Sequence, residues 1–117
     1  METARPIAKS NRRVGQRRKP RTYVKLQCRR GNLGLGPDLA ASLLDISDSG
    51  VRLIVKEELQ LRGEVEVIIS AHGLKDLVKR LGNVRWQVKL ETGLFCVGIQ
   101  LQKHLPYRDW QYLASPS

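Results

Sequence analysis

Two short runs hold the side chains best suited to grip an anion or a base edge. The first is Arg17-Arg18-Lys19-Pro20-Arg21. Arg17 and Arg21 flank a proline at an i, i+4 spacing. Each offers a planar fork that takes a phosphate, or the O6/N7 edge of guanine, through two parallel hydrogen bonds. Lysine cannot do both, being a point charge. The second run is Asp45-Ile46-Ser47-Asp48-Ser49-Gly50. In an extended chain the period of two sends the Asp45 carboxylate and the Ser47 hydroxyl to one face, which is expected to point outward. A carboxylate can accept from the N1 and N2 hydrogens of guanine, a hydroxyl can donate or accept beside it, and Gly50 turns the chain with no side chain in the way.

Catalytic chemistry finds less support. His72 and His104 fall near strand ends, and no cysteine, serine or pair of carboxylates is set to share a site with either. Both are expected at the surface. Cys28 and Cys96 form no C-x-x-C pair and lie in strand-like runs, where a free thiol behaves as a small apolar group. They are assigned to the core, and no structural metal is expected. Trp86 and Trp110 are read as core and helix anchors, because one alternates with valines and the other is spaced with leucines.

Charge separates the chain into an arm and a body. Residues 1–30 carry eleven Lys and Arg against one acid, Glu2, whereas residues 31–117 carry ten of each sign, so the whole excess of +10 sits at the front. Such an arm suits nucleic acid, a nucleotide or an acidic membrane surface, or else serves as a solvated tail. Residues 1–16 are expected to form a flexible basic arm and residues 17–117 one domain. No apolar stretch is long enough for a membrane span or a secretory signal, so a cytoplasmic location is expected.

The body must position these groups, and its pattern is that of short strands. Residues 22–28 suggest a first strand, followed by a glycine-rich loop over 29–38. Residues 39–55 read as a hairpin turning at Asp48-Ser49-Gly50, with Val51, Leu53 and Val55 on one face. Further strands are expected at 63–70, at 74–90 with a bend or bulge at Gly82, and at 95–101. Pro106 opens a short helix with Leu105, Trp110 and Leu113 on one side. Six such strands predict an all-β, six-stranded antiparallel barrel with a short C-terminal helix, since closure removes exposed edges.

The two runs, in this order and each beside a strand, resemble the PilZ family, whose pattern is R-x-x-x-R followed by [D/N]-x-S-x-x-G. The resemblance spans about residues 12–113 and includes the N-V-R-W and V-G-I-Q strands. It implies a cyclic di-GMP receptor that is not an enzyme, with the ligand held between the arginine loop and the outer barrel surface. The residues it implies are Arg17, Arg21, Asp45, Ser47 and Gly50, with Arg18 and Arg13 assisting. Arg17/Arg21 is preferred to Arg13/Arg17 because the family's second arginine directly precedes the first strand. A glycine-rich insertion at 30–37 and Arg52 after the turn depart from the pattern. An arm closing over the ligand would change the surface offered to a protein partner. Two alternatives stand beside this: a nucleic-acid-binding barrel with a basic arm, and a PilZ-like module that acts only through protein contacts.

Overall fold

A computed structural model describes residues 18–20, 24–71 and 76–113, apart from the side chains of Gln111 and Tyr112. Its elements are β1 (Val24–Arg30), β2 (Ala40–Ile46), β3 (Gly50–Val55), β4 (Glu64–Ala71), β5 (Val78–Lys89), β6 (Phe95–Leu101) and the helix α1 (Tyr107–Leu113). The strands form one six-stranded sheet in the order β1-β4-β5-β6-β3-β2, every pair antiparallel. The sheet curls into a nearly closed barrel. At one end of the β1–β2 seam the Leu39 amide donates to the Cys28 carbonyl at 2.8 Å, and the Cys28 amide donates to Asp38 Oδ1 at 2.9 Å. At the other, Arg18 and Ile46 exchange backbone hydrogen bonds of 3.0 and 2.8 Å. The expected arm, residues 1–16, lies outside the described residues.

The alternating pattern explains the core. Val51, Leu53 and Val55 of β3, Val65, Val67 and Ile69 of β4, and Val97, Ile99 and Leu101 of β6 all point inward and are buried. Each such side chain contributes about 1.5–3 kcal/mol when fully buried. Leu105, Trp110 and Leu113 join the same cluster, so α1 covers the barrel as its spacing predicted.

The long strand β5 departs from expectation. Its irregularity falls between Val84 and Trp86, not at Gly82, which pairs in register with Val65 and Leu101. Gly82 answers a different need, because a Cβ there would stand 2.6 Å from Ile99 Cγ2 and 2.9 Å from the Gln100 carbonyl oxygen. The extra residue, Arg85, inverts the parity of every later position in the strand. Val84 stays in the core, but Trp86 and Val88 turn out to 36% and 54% exposure, and the assignment of Trp86 to the core is corrected. Gln87 pairs with inward-facing Val97, and its amide accepts from the Leu59 N–H at 2.8 Å and donates to the Leu59 carbonyl at 2.9 Å.

Strand β1 ends later than the first expected strand, whose residues 22 and 23 lie outside the described residues. Arg29 and Arg30 extend it by pairing with Glu66 and Val65, and the loop starts at Gly31, whose φ of 81° suits glycine. Leu77 is exposed and precedes β5, while Leu74 and His72 lie outside the described residues.

Cys28 is fully buried as expected, whereas Cys96 is only partly so, since it pairs with Ile54 and Val88 on the outer face. Burial, reinforced by the nearby Asp38 charge and partly offset by Arg30, pushes the Cys28 thiol up from 9.0 to about 12. The folded chain therefore keeps a proton that the unfolded chain releases, so this contribution is whole below about pH 9 and is lost as pH climbs towards 12. Cys28→Val is expected to flatten the alkaline fall of stability in denaturant titrations, and an unchanged pH profile would contradict the burial argument.

Candidate functional site

The second run builds the turn between β2 and β3, and its serine turns back on the chain. The Ser47 hydroxyl accepts from the Gly50 amide at 3.0 Å and the Ser49 amide at 3.3 Å, and donates to the Gly50 carbonyl at 3.2 Å. Ser47 is 2% exposed. The outward hydroxyl expected from the period of two is thus corrected: the chain leaves extended geometry at this residue, and the side chain braces the turn. Two further bonds hold the turn to the barrel end, from the Leu101 amide to the Ser49 carbonyl at 2.8 Å and from the Leu105 amide to the Asp48 carbonyl at 2.7 Å.

Gly50 pairs with Gln100, and a Cβ there would stand 2.7 Å from the Ile99 carbonyl oxygen. The residue is needed for close approach of β3 to β6 and not for a left-handed turn. Because the obstacle is backbone, Gly50→Ala is expected to destabilise the fold by about 1–3 kcal/mol. Urea titration measures this, and a neutral substitution would show that β3 and β6 separate freely.

Asp45 stands opposite Arg52 across the hairpin, and its Oδ2 lies 2.5 Å from Arg52 Nη2. The Arg52 side chain is 44% exposed, while Asp45 is nearly covered at 6%. The pair therefore lies on the outer side of the barrel, but the expected open carboxylate is already engaged and screened. Arg52, a departure from the family pattern, is a member of the site. A signal for it exists in the sequence: a turn closing between Ser47 and Gly50 places residues 46 with 51 and 45 with 52 in succession.

The described part of the first run reaches this same place. Arg18 is bridged to Ile46, the residue between Asp45 and Ser47. Its guanidinium sits 4.7 Å from the ring centroid of Trp110, a cation–π contact that joins the arginine run to α1. Arg18 is thus occupied by the helix, which qualifies its expected place among the ligand-binding groups. Arg17, Arg21 and Arg13 lie outside the described residues. The segment between the first two is nonetheless hydrogen-bonded beside Asp45, so the two runs meet.

On the outer face the register extends this row, since Asp45, Arg52, Gly98 and Trp86 are successive cross-strand neighbours on β2, β3, β6 and β5. A hollow of about 330 Å³ opens next to it, bordered by Ser49, Gly50, Arg85, Trp86, Gly98 and Gln100. A recess of about 520 Å³ at the β1–β2 seam is lined by other residues, among them Pro20, Lys25, Gln27 and Ser42. His104 is exposed as expected, with Nδ1 4.0 Å from Asp48 Oδ2. Among the described residues, no group of three or more His, Cys, Asp or Glu side chains is placed to hold a metal, and no helix is long and apolar enough to cross a membrane.

The small antiparallel barrel thus carries an arginine segment bridged to a D-x-S-x-x-G hairpin. The chain matches the family model for the PilZ domain over residues 12–115, and it belongs to that family. Among solved structures it is similar to the Bacillus subtilis inhibitor of motility MotI/DgrA, with a TM-score of 0.58 and 12% identity over 85% of this chain. The likeness is one of fold, and the chain spans 47% of that protein's length. No curated protein matches it.

Proposed function

We propose that this chain is a cyclic di-GMP receptor and adaptor in which Arg17 and Arg21 grip the ligand against the Asp45–Arg52 face. The observation that carries the reading is the backbone bridge between Arg18 and Ile46, which brings the two family patterns side by side. Guanidinium forks at 17 and 21 neutralise the two phosphates and cover one base. Asp45, held by Arg52, is the acceptor for the N1 and N2 hydrogens of a guanine. That guanine must share the carboxylate with Arg52 or take it over, so the ion pair tunes access to the site. Ser47 contributes by keeping the turn in shape, and Gly50 by leaving room.

An arm that closes over the ligand costs about 1–2 kcal/mol in backbone entropy for each residue it fixes, and charge-assisted bonds of about 1.5–3 kcal/mol each offset it. Affinity therefore rests on a few arginines. Ligand that docks this segment changes the surface beside α1, because Arg18 is already stacked on Trp110, and that changed surface is what a protein partner reads.

Calorimetric titration with cyclic di-GMP, with GTP and a short oligonucleotide as controls, tests the reading. The expected result is binding of cyclic di-GMP alone at 1:1 or 2:1, with a shallow salt dependence set by two phosphates. No heat with cyclic di-GMP or the oligonucleotide would leave the module that acts only through protein contacts, and tighter oligonucleotide binding that falls steeply with salt would replace the reading with the nucleic-acid one.

A further inference from the structure

We propose that the glycine-rich loop over residues 31–36 is a docking knob for a protein partner, whose apolar cleft takes the Leu33 and Leu35 side chains. This contact is separate from the ligand site and does not depend on what the arginine run binds.

Of the two departures from the family pattern, Arg52 has a place on the Asp45 face, whereas the insertion has none. Its leucines stand in solvent, Leu33 at 77% and Leu35 at 69% exposure. Exposure alone would suit a loose connection, but this loop is pinned at entry, middle and exit. At entry the Gly31 amide donates to the Glu64 carbonyl at 2.9 Å, and the Asn32 side-chain amide donates to Glu64 Oε1 at 2.9 Å. In the middle Gly34 lies so close to β4 that a Cβ on it would stand 3.0 Å from Glu66 Oε1, and its φ of 69° is left-handed. At exit Arg29 Nε donates to the Gly36 carbonyl at 3.1 Å, and Asp38 Oδ1 accepts from the Cys28 and Ala40 amides at 2.9 and 3.0 Å. The backbone is thus held in place while two large apolar side chains are kept out of the core. A segment already ordered in this way loses little further freedom on binding.

The surroundings select the class of partner. Leu61, in the β3–β4 connection, is exposed as well, and a hollow of about 280 Å³ bordered by Arg30, Gly31, Gln60, Gly63 and Glu64 joins that connection to the loop. The charged side chains that touch the loop are Arg29, Glu64 and Glu66, one cation against two anions. The Arg30 fork is taken up by Glu57 Oε1 at 3.1 Å and the Glu58 carbonyl at 2.7 Å. Attraction to an anionic bilayer or to nucleic acid needs a local excess of cations. Here that excess sits in the first thirty residues, and Arg18 meets the barrel at the other end of β2, about 20 Å away. A protein cleft with an apolar floor and a basic rim complements the patch. A second copy fits less well, because the hollows of about 520 and 330 Å³ on this chain are rimmed by polar side chains such as Lys25 and Ser42, or Ser49 and Arg85. A partner gripped at this end leaves the surface beside α1 free to change with ligand.

The experiment places a photoreactive amino acid at position 33 or 35 of the full chain in the cells that make it, with position 77 as control, because Leu77 is exposed at the opposite end of the barrel. The cross-linked protein is then purified and titrated by calorimetry with the wild type, Leu33→Ser/Leu35→Ser and Leu77→Ser, with and without cyclic di-GMP. One protein adduct is expected from 33 and 35 and none from 77. Affinity for the purified partner is expected to fall at least about tenfold in Leu33→Ser/Leu35→Ser, at an unchanged thermal midpoint, and to stay at the wild-type value in Leu77→Ser. No adduct, an adduct shared with position 77, or a partner whose affinity ignores the double substitution overturns the knob. An adduct with a second copy overturns it in favour of a self-interface. Sedimentation with phosphatidylglycerol vesicles that is lost in the double variant overturns it in favour of a membrane contact. Failure of the wild type to bind cyclic di-GMP removes the receptor reading alone, since the partner titration without nucleotide still decides the knob.

Discussion

Arg21→Ala is expected to abolish cyclic di-GMP binding in calorimetry, with affinity falling at least about a hundredfold. The size of the loss reflects two charge-assisted hydrogen bonds to one phosphate or base edge, each about 1.5–3 kcal/mol. Arg21→Lys is expected to recover little, because an ammonium keeps the charge but lacks the fork. Thermal midpoints should stay near that of the wild type, since the loss is one of recognition and not of packing. The arginine pattern occurs twice, as Arg13/Arg17 and Arg17/Arg21, so Arg13→Ala is the matched control. Loss of binding in Arg13→Ala with near-wild-type affinity in Arg21→Ala would shift the grip by one repeat. Unchanged affinity in both would remove the arginine run from the site.

Trp110→Ala is expected to have the largest effect on stability, a loss of about 3–5 kcal/mol. Trp110 is 4% exposed in the core cluster with Leu105 and Leu113, and it supports the Arg18 guanidinium at 4.7 Å. Its Nε1 also points at the Ile46 carbonyl, 3.5 Å away. Removing the ring opens a cavity under α1 and leaves Arg18 with nothing to stack on. For a chain of this size the thermal midpoint should fall by roughly 10–20 °C. The same variant should bind cyclic di-GMP more weakly than its stability loss alone requires, because Ile46 and Arg18 form the bridge between the two patterns. A midpoint within about 2 °C of the wild type would mean that α1 is not seated on the barrel.

Much of the scaffold is legible in the sequence because its cues are local. The Asp48-Ser49-Gly50 cluster forces a turn, the alternation in 51–55, 64–70 and 95–101 marks the inward faces, and Pro106 with Leu105, Trp110 and Leu113 marks the helix and its buried side. Arg18 beside Asp45 is only partly legible. Membership of both patterns in one family predicts their proximity, but Arg18 is expected to face a ligand and instead lies against Trp110 of the terminal helix.

The linear chain determined the number of strands, their inward faces and the excess of positive charge in the first thirty residues, because turn residues, a period of two and composition are properties of neighbours in sequence. Only the folded barrel decided that Arg18 lies against Trp110 and that Trp86 faces out over Gly98. Those outcomes depend on which residue of a distant element lies opposite. One extra residue at Arg85 changes that for the rest of the strand, and no pattern within β5 alone records the partner that made the bulge necessary.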